Sequence, residues 1–227
     1  MFIKGDKKMG FEIDLLKNYP KSRRDLDERA NEKTETDRSI ARKFGKEFFD
    51  GDRRTGYGGY SYHPRFWTPT FVDFMQHFDF KADDSLLDVG CAKGFMLVDF
   101  KKQMPSMQFR GVDISEYAVS NAHEDIVDCL SVADAKNLPF SDNEFDYVIS
   151  INTVHNLEIQ ECKIALSEIE RVSKKGSFIT VDAYRSAEEK ERMFKWNLTA
   201  KTILSVQEWQ DVFLEVGYTG DYFWFMP

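Results

Sequence analysis

Residues 86–100, LLDVGCAKGFMLVDF, decide the fold of this chain. An apolar run ends at Asp88 and Gly90, and after Gly94 the pattern changes to that of an amphipathic helix. The two glycines permit positive φ angles and close approach of a ligand to the backbone, and the helix N-terminus behind them offers unpaired N–H groups. The stretch therefore predicts a buried strand, a nucleotide-sized binding turn and a helix.

Short apolar runs alternate with helical patterns beyond this turn. Strands are predicted at 85–89 (SLLDV), 108–113 (QFRGVD), 129–134 (CLSVAD), 145–151 (FDYVISI) and 177–183 (SFITVDA). Helices are predicted to begin near Gly94, Ser115 and Glu158. Because strands separated by helices form parallel sheets with right-handed crossovers, we expect an α/β fold: a Rossmann-like, doubly wound, mostly parallel sheet of six or seven strands.

The segment before the sheet predicts an N-terminal helical extension over residues 1–80, followed by a domain over residues 81–227. Charged residues are dense from Ser22 to Asp50, which predicts one or two exposed helices. Residues Arg53–Trp67 combine glycines with many aromatic side chains, and we interpret them as a structured cover, the aromatic lid. Pro64 is expected to open a helix over Arg65–Phe80.

The pattern after Asp182 is less regular. Ser205 and Glu208 match a capping box, and Gly217 is expected to end the helix that they begin. The last six residues, YFWFMP, predict an edge strand ended by proline.

Composition restricts the class of partner. With 31 basic and 39 acidic residues the formal net charge is −8, which repels nucleic acid and anionic membranes alike and favours a small-molecule substrate. The three cysteines, Cys91, Cys129 and Cys162, lack CxxC spacing and are interpreted as reduced thiols rather than metal ligands. No signal peptide or membrane-spanning run is seen, so we expect a cytoplasmic location. A monomer or a homodimer is expected.

Two families use a glycine turn of this kind. The dehydrogenase pattern GxGxxG does not fit, since Gly90 and Gly94 are separated by Cys91, Ala92 and Lys93. The order DxGxxxG instead resembles the first motif of the class I S-adenosylmethionine-dependent methyltransferases, DxGxGxG, in their type 11-like branch, with Ala92 at the middle glycine. The resemblance covers residues 85–183, including LPFSDNEFDYVIS. The family usually ends its sheet with a reversed hairpin, whereas this sequence shows one clear terminal strand.

Two further acids stand where a cofactor of this class requires them. Asp113, at the end of the second strand, is suited to accept hydrogen bonds from a ribose diol. The resemblance implies that Asp134 pairs with the adenine amino group and that Ala135 leaves room for the ring. The residues predicted to bind S-adenosylmethionine and its product S-adenosylhomocysteine are Asp88, Gly90, Cys91, Ala92, Gly94, Asp113, Ile114, Asp134, Ala135, Asn152, Tyr57 and Tyr60.

Methyl transfer from a sulfonium is an in-line displacement that needs alignment more than covalent participation, and it needs no metal. His155 follows the fourth strand at the edge where open α/β sheets bind ligands, either as a general base or only as a positioning residue. His77 and His123 are expected at the surface. The residues predicted to bind the acceptor are Arg53, Arg54, Tyr62, His63, Trp67 and Tyr184.

These features predict methyl transfer to a small polar acceptor, through a hydroxyl or a phosphate-type oxygen. A looser similarity to small methyltransferases of bacterial surface-polysaccharide biosynthesis implies a sugar, nucleotide-linked or phosphoramidate-bearing precursor as that acceptor. Two alternatives stay open: a non-catalytic module that only binds S-adenosylmethionine, and a Rossmann-like NAD-dependent dehydrogenase.

Overall fold

The computed structural model describes residues 9–20 and 33–226. The helices are α1 Glu35–Ala41, α2 Lys46–Phe49, α3 Thr68–Phe78, α4 Phe95–Gln103, α5 Glu116–Ser120, α6 Ile159–Val172, α7 Ala187–Trp196 and α8 Val206–Val216. The strands are β1 Ser85–Val89, β2 Gln108–Asp113, β3 Leu130–Val132, β4 Phe145–Ile151, β5 Ser173–Tyr184, β6 Leu204–Ser205 and β7 Asp221–Phe225.

The seven strands form one sheet in the order β3-β2-β1-β4-β5, with β6 and β7 both beside β5. All strand pairs within the described ranges are parallel. The chain reverses its direction of travel across the sheet between β1 and β4, which is the switch point where such folds bind ligands. The predicted α/β, Rossmann-like, doubly wound sheet is confirmed.

Each face of the sheet is covered by helices and carries its own apolar core. Leu86 and Ile149 pack with α3 and α4 on one face, whereas Leu87 and Val148 pack with α6 and α8 on the other. Successive strand residues point to opposite faces, so strands buried on both sides are continuously apolar. This is why β1, β2 and β4 match their predicted bounds.

Three elements have bounds that differ from prediction. The helix expected over Arg65–Phe80 begins at Thr68, because Pro69 rather than Pro64 occupies its first turn, and residues 64–67 form a separate turn. The predicted third strand is cut to Leu130–Val132, and the fifth extends backwards to Ser173.

The C-terminal strand also differs from prediction. β7 pairs with β5 along its length, in parallel, so the chain lacks the reversed hairpin with which the family usually ends. Its outer side is not a free edge, since Ile13 N–H donates to the Tyr222 carbonyl at 2.9 Å and Tyr222 N–H donates to the Phe11 carbonyl at 3.2 Å. The capping box of Ser205 and Glu208 on α8 forms as expected, and Gly217 ends that helix with φ 71°.

The N-terminal extension lies across the carboxyl ends of the strands. Ser115, which caps α5 after β2, donates to the Phe44 carbonyl at 2.5 Å, while Arg42 Nε donates to the Thr199 carbonyl at 3.4 Å, on the β5 side. Ala41 and Phe49 are buried, so α1 and α2 are not merely exposed helices. Residues 22–32 of the predicted charged segment lie outside the described residues, and the division at residue 80 stays a prediction.

Three further observations concern the described chain. No helix in residues 9–20 and 33–226 is long and apolar enough to cross a membrane. The same residues contain no group of three or more His, Cys, Asp or Glu side chains that could hold a metal ion. The three cysteines form no disulfide.

Candidate active site

The turn after β1, residues 90–94, is left-handed at Gly90 (φ 87°), Ala92 (φ 51°) and Gly94 (φ 76°). Gly90 and Cys91 both donate their N–H groups to the Val112 carbonyl, at 2.7 and 3.0 Å, which ties the turn to β2. A Cβ on Gly90 would stand 2.0 Å from Oγ1 of Thr153, in the turn after β4. The cofactor turn is therefore fixed between three strand ends, and only glycine fits at position 90.

Asp113, predicted to bind a ribose diol, also supports the backbone of the turn. One carboxylate oxygen accepts from Ala92 N–H at 2.7 Å and the other from Ser115 N–H at 2.8 Å. Burial raises the pKa of Asp113, and these backbone hydrogen bonds oppose that shift. The carboxylate thus keeps a fixed orientation at the carboxyl end of β2, where its remaining lone pairs can accept hydrogen bonds.

Asp88 is a second acid in the same place. Its side chain is buried, and burial together with the charge of Asp113 raises the pKa of Asp88 to about 8. No hydrogen bond from a described residue contributes to this pKa. Two carboxyl groups on adjacent strand ends favour a positively charged ligand beside them.

The aromatic lid is anchored to the cofactor turn by Lys93. Lys93 is buried, and its Nζ donates to Asp50 Oδ2 at 2.7 Å and to the Tyr60 carbonyl at 2.9 Å. Asp50 also accepts from Tyr60 N–H at 2.9 Å and from the Tyr117 hydroxyl at 2.7 Å. Burial alone would raise the pKa of Asp50, but hydrogen bonds from Lys93, Tyr60 and Tyr117 lower it to about 2.

The hydrogen bonds of Lys93 and Asp50, which we call the clamp, hold the tyrosines of the lid over the turn. The Tyr60 ring stacks on Phe95, at the start of α4, with centroids 4.8 Å apart, and Tyr57 lies against Tyr60 at 4.4 Å. Burial raises the pKa of Tyr60 far above its usual range, with contributions from neighbouring tyrosines and from Asp88 and Asp113. The lid therefore brings Tyr60 beside the two acids.

Residues predicted for the adenine follow two neighbouring strands. Ile114 comes after β2 and is 56% exposed, and Asp134 and Ala135 come after β3. Ala133 N–H donates to the Asp113 carbonyl at 3.0 Å, which holds the two strand ends together. The Asp134 carboxylate caps the next turn through Lys136 N–H at 2.9 Å. An exposed apolar surface lies here beside an acid.

The turn after β4 contains Asn152 and His155. Asn152 has φ 51°, and its amide oxygen accepts from the Thr180 hydroxyl at 2.8 Å. His155 Nδ1 accepts from Asp182 N–H at 3.0 Å, which leaves the ring proton on Nε2, 3.6 Å from Asp182 Oδ1. Burial lowers the pKa of His155, and the Asp182 charge opposes that shift. Because the one acceptor nitrogen is already used, this geometry favours a positioning role over that of a base.

The residues predicted for the acceptor are not gathered around one cavity. Arg53, Arg54 and His63 are exposed, and Arg54 pairs with Asp52 at 3.3 Å. Three aromatic residues lie elsewhere: Tyr62 donates to Asp99 of α4 at 2.5 Å, Trp67 packs on Tyr19 at 4.9 Å, and Tyr184 lies 3.5 Å from Glu208.

His77 and His123, which were predicted at the surface, are partly buried there. His77 of α3 is 15% exposed and bonds to Asp221 at 2.7 Å, and His123 is 20% exposed against the Tyr62 ring. The sequence reasoning also missed Lys93, Asp50 and Tyr117. The one sequence feature that points to them is Lys93, a lysine within a turn of small residues.

Residues 87–181 match the model of a family described as a methyltransferase domain. Arabidopsis thaliana tRNA (carboxymethyluridine(34)-5-O)-methyltransferase is 35% identical over 127 residues, covering 55% of this chain and 30% of that protein. Staphylococcus carnosus demethylmenaquinone methyltransferase is 34% identical over 107 residues, covering 45% of this chain and 44% of that protein.

The fold is also similar to a solved structure. Haemonchus contortus phosphoethanolamine N-methyltransferase 2, in complex with S-adenosyl-L-methionine, superimposes with a TM-score of 0.54 at 20% identity, covering 78% of this chain and 44% of that one. Residues 87–181 are thus similar to methyltransferase domains, and the solved structure, which shares the fold, contains S-adenosyl-L-methionine. The chain spans less than half the length of either sequence relative.

Proposed function

We propose that this protein binds S-adenosylmethionine at the cofactor turn and transfers its methyl group to a small polar acceptor. The observation that carries the proposal is the left-handed turn at Gly90, Ala92 and Gly94 with Asp88 and Asp113 beside it. A buried acid that accepts no hydrogen bond from a described residue and a glycine cradle that a Cβ would fill both suit a cationic nucleoside.

Each residue has a defined task in this proposal. Asp113 would accept from the ribose hydroxyls, Ile114 and Ala135 would enclose the adenine, and Asp134 would accept from its amino group. Asp88 would face the positive charges of the cofactor, and Tyr57 and Tyr60 would exclude water from above. When bound, S-adenosylmethionine supplies an electrophilic methyl group, and the chain contributes alignment.

The acceptor is the finer part of the proposal. We take it to be a hydroxyl or phosphate-type oxygen of a sugar, nucleotide-linked or phosphoramidate-bearing precursor of surface polysaccharide, with a cytoplasmic location. The relatives' names give other acceptors, a tRNA and a demethylmenaquinone. The net charge of −8 supports a small molecule over a nucleic acid.

A label-transfer experiment tests the function. The protein is incubated with methyl-labelled S-adenosylmethionine and, separately, with a small-molecule fraction and a tRNA fraction of a polysaccharide-producing bacterium. We expect label in the small-molecule fraction with the wild type and none with Gly90→Ala. Label in the tRNA fraction would show that the acceptor is a nucleic acid and not a small molecule. Cofactor binding without transfer of label to either fraction would favour the non-catalytic binding module.

The pKa of Asp88 predicts a pH-dependent cofactor affinity. Asp88 is protonated at neutral pH and must lose its proton to face a cation, so affinity should rise between about pH 7 and about pH 9, with release of a proton on binding. In the free protein the raised pKa means that the folded state holds a proton that the unfolded state has lost. The contribution of Asp88 to the free energy of unfolding therefore falls as pH rises from the pKa of this residue in the unfolded chain towards about 8.

Calorimetry across this pH range, in buffers of different ionisation enthalpy, measures both effects. Asp88→Asn should remove the pH dependence of affinity and stabilise the free protein at high pH by on the order of 2 kcal/mol. Asp83→Asn, at an exposed acid, is the control for net charge. A pH-independent affinity in the wild type would contradict this assignment of Asp88.

The two roles of His155 predict different outcomes for two substitutions. His155→Ala leaves the Asp182 N–H unpaired and opens a cavity, so we expect a loss of about 2 to 4 kcal/mol in the free energy of unfolding. In His155→Asn the amide oxygen can stand near the position of Nδ1. If the residue only positions its neighbours, turnover should stay within about fivefold, whereas loss of a base costs about a hundredfold or more.

Nitrogen NMR of the wild-type ring gives an independent readout. We expect neutral His155 with its proton on Nε2 throughout the neutral range. A protonated ring, or a severe loss of turnover in a stably folded His155→Asn, would restore the base role.

A further inference from the structure

A groove of about 560 Å³ opens between α1 and the segment that follows α7. Its described lining carries three cationic side chains, two carboxylates and one phenyl ring: Arg38, Arg42, Lys201, Glu35, Glu158 and Phe194. Lys201 Nζ lies 3.6 Å from Glu158 Oε1, so the two arginines carry the proposal. Arg38 and Arg42 are four residues apart, which places them on one face of α1. We propose that this groove binds the acceptor through a phosphate or carboxylate group attached to a flat ring.

The arginines already hold a carboxylate in the groove. Arg42 Nη1 lies 3.2 Å from Glu35 Oε1, and Arg38 Nη1 lies 3.7 Å from Glu35 Oε2. The arginine side chains are 24% and 28% exposed, whereas that of Glu35 is 76% exposed. An exposed ion pair contributes little to stability, so an incoming anion displaces Glu35 at small cost. The planar guanidinium groups favour phosphate or carboxylate oxygens as ligands.

The walls of the groove have a fixed shape. Asn197 is buried and closes its own loop, donating to the Ala200 carbonyl and accepting from Ala200 N–H, both at 2.8 Å. Arg42 Nε is held by the Thr199 carbonyl at 3.4 Å. Phe194 is 52% exposed and offers an apolar surface for a ring.

The groove is linked to the cofactor turn through residues 152–158. Thr153 occupies the space that a Cβ on Gly90 would need, and the His155 carbonyl accepts from Lys201 and Thr202 N–H at 3.0 Å on the other side of the turn. The extension that supplies Arg38 and Arg42 continues to Asp50, which binds Lys93 of the cofactor turn. One chain segment therefore borders both sites.

Naming the ligand as the acceptor rests on the proposed methyl transfer, but its binding is measurable without cofactor. We would titrate phenyl phosphate into the full chain by NMR, with inorganic phosphate and benzoate as separate arms. Phenyl phosphate should saturate one site with a dissociation constant on the order of 1 mM. Benzoate binding more tightly than phenyl phosphate would assign the anion as a carboxylate, and the reverse would assign it as a phosphate.

Two double variants decide whether the groove is responsible. Arg38→Gln with Arg42→Gln should weaken phenyl phosphate at least tenfold, whereas Lys43→Gln with Lys46→Gln, at exposed positions of the same segment, should change it less than twofold. Phe194→Ala should weaken phenyl phosphate but not inorganic phosphate. Thermal melting checks that each variant is folded.

Lack of saturation, or equal weakening in both double variants, would overturn the proposal, because charge alone would then explain the binding. Failure here leaves cofactor binding untouched. Conversely, failure of cofactor binding with an intact phenyl phosphate site would remove only the methyl-transfer function.

Discussion

Gly90→Ala is expected to abolish S-adenosylmethionine binding, with a loss of more than about a hundredfold in affinity. The added Cβ would stand 2.0 Å from Thr153 Oγ1 and 2.5 Å from its Cγ2, and the backbone φ of 87° is one that alanine rarely adopts. Either the turn or the Thr153 segment must move, and both border the proposed cofactor site. We also expect a loss of about 2 to 4 kcal/mol in the free energy of unfolding.

Gly217→Ala is the matched control for this substitution. Gly217 ends α8 with φ 71°, but its Cβ would meet nothing within 4 Å. Gly217→Ala therefore introduces the backbone strain without the clash. It should lower the free energy of unfolding by about 1 kcal/mol and leave cofactor affinity unchanged. Calorimetry and denaturant unfolding measure the two effects. A Gly90→Ala variant that binds cofactor normally would contradict the assignment of the turn.

Lys93→Met is expected to release the aromatic lid. It leaves the Asp50 carboxylate partly buried without its cation, for which we expect a loss of about 2 to 3 kcal/mol in stability. Tyr60 loses the hydrogen bond from Lys93 to its carbonyl and keeps the one from its N–H to Asp50. We therefore expect cofactor to dissociate faster and proteases to cleave residues 51–59 sooner. Limited proteolysis and stopped-flow release of cofactor measure these changes.

A second lysine provides the comparison for Lys93. Lys163 bonds to Glu215 at 2.7 Å, but the Glu215 side chain is 60% exposed, so Lys163→Met should cost less than about 1 kcal/mol. Hydrogen bonds lower the pKa of Asp50 to about 2. The stabilisation that the clamp gives the folded state is therefore fully present above the pKa of Asp50 in the unfolded chain, and it is lost as pH falls towards 2. Equal proteolysis of wild type and Lys93→Met would contradict the anchoring role.

The sheet and the cofactor turn were predictable because they depend on local pattern. Apolar runs bounded by Asp88 and Gly90 specify a buried strand and its exit, and the same logic located β2 and β4. The direction of β7 was not predictable, because parallel and reversed strands have the same alternation. Its burial depends on packing against Phe213 and on the pairing with residues 11–13.

The site contains contacts that no spacing rule can find. Lys93 and Asp50 are 43 residues apart, and the lysine is buried only because the lid supplies a carboxylate. His155 was correctly placed after the fourth strand, but its acceptor nitrogen is occupied by a backbone N–H that the sequence does not reveal. The sequence around Arg38 and Arg42 is typical of an exposed charged helix, and only the packing of α1 shows that both residues line a groove.

The central claim is that the carboxyl edge of this sheet binds S-adenosylmethionine, and calorimetric titration tests it most directly. We expect a single site with micromolar affinity, on the order of −8 kcal/mol, in the wild type and none in Gly90→Ala. NADH, titrated under the same conditions, should give no binding. Tight NADH binding, or no heat with S-adenosylmethionine far above micromolar concentrations in a folded sample, would contradict the account.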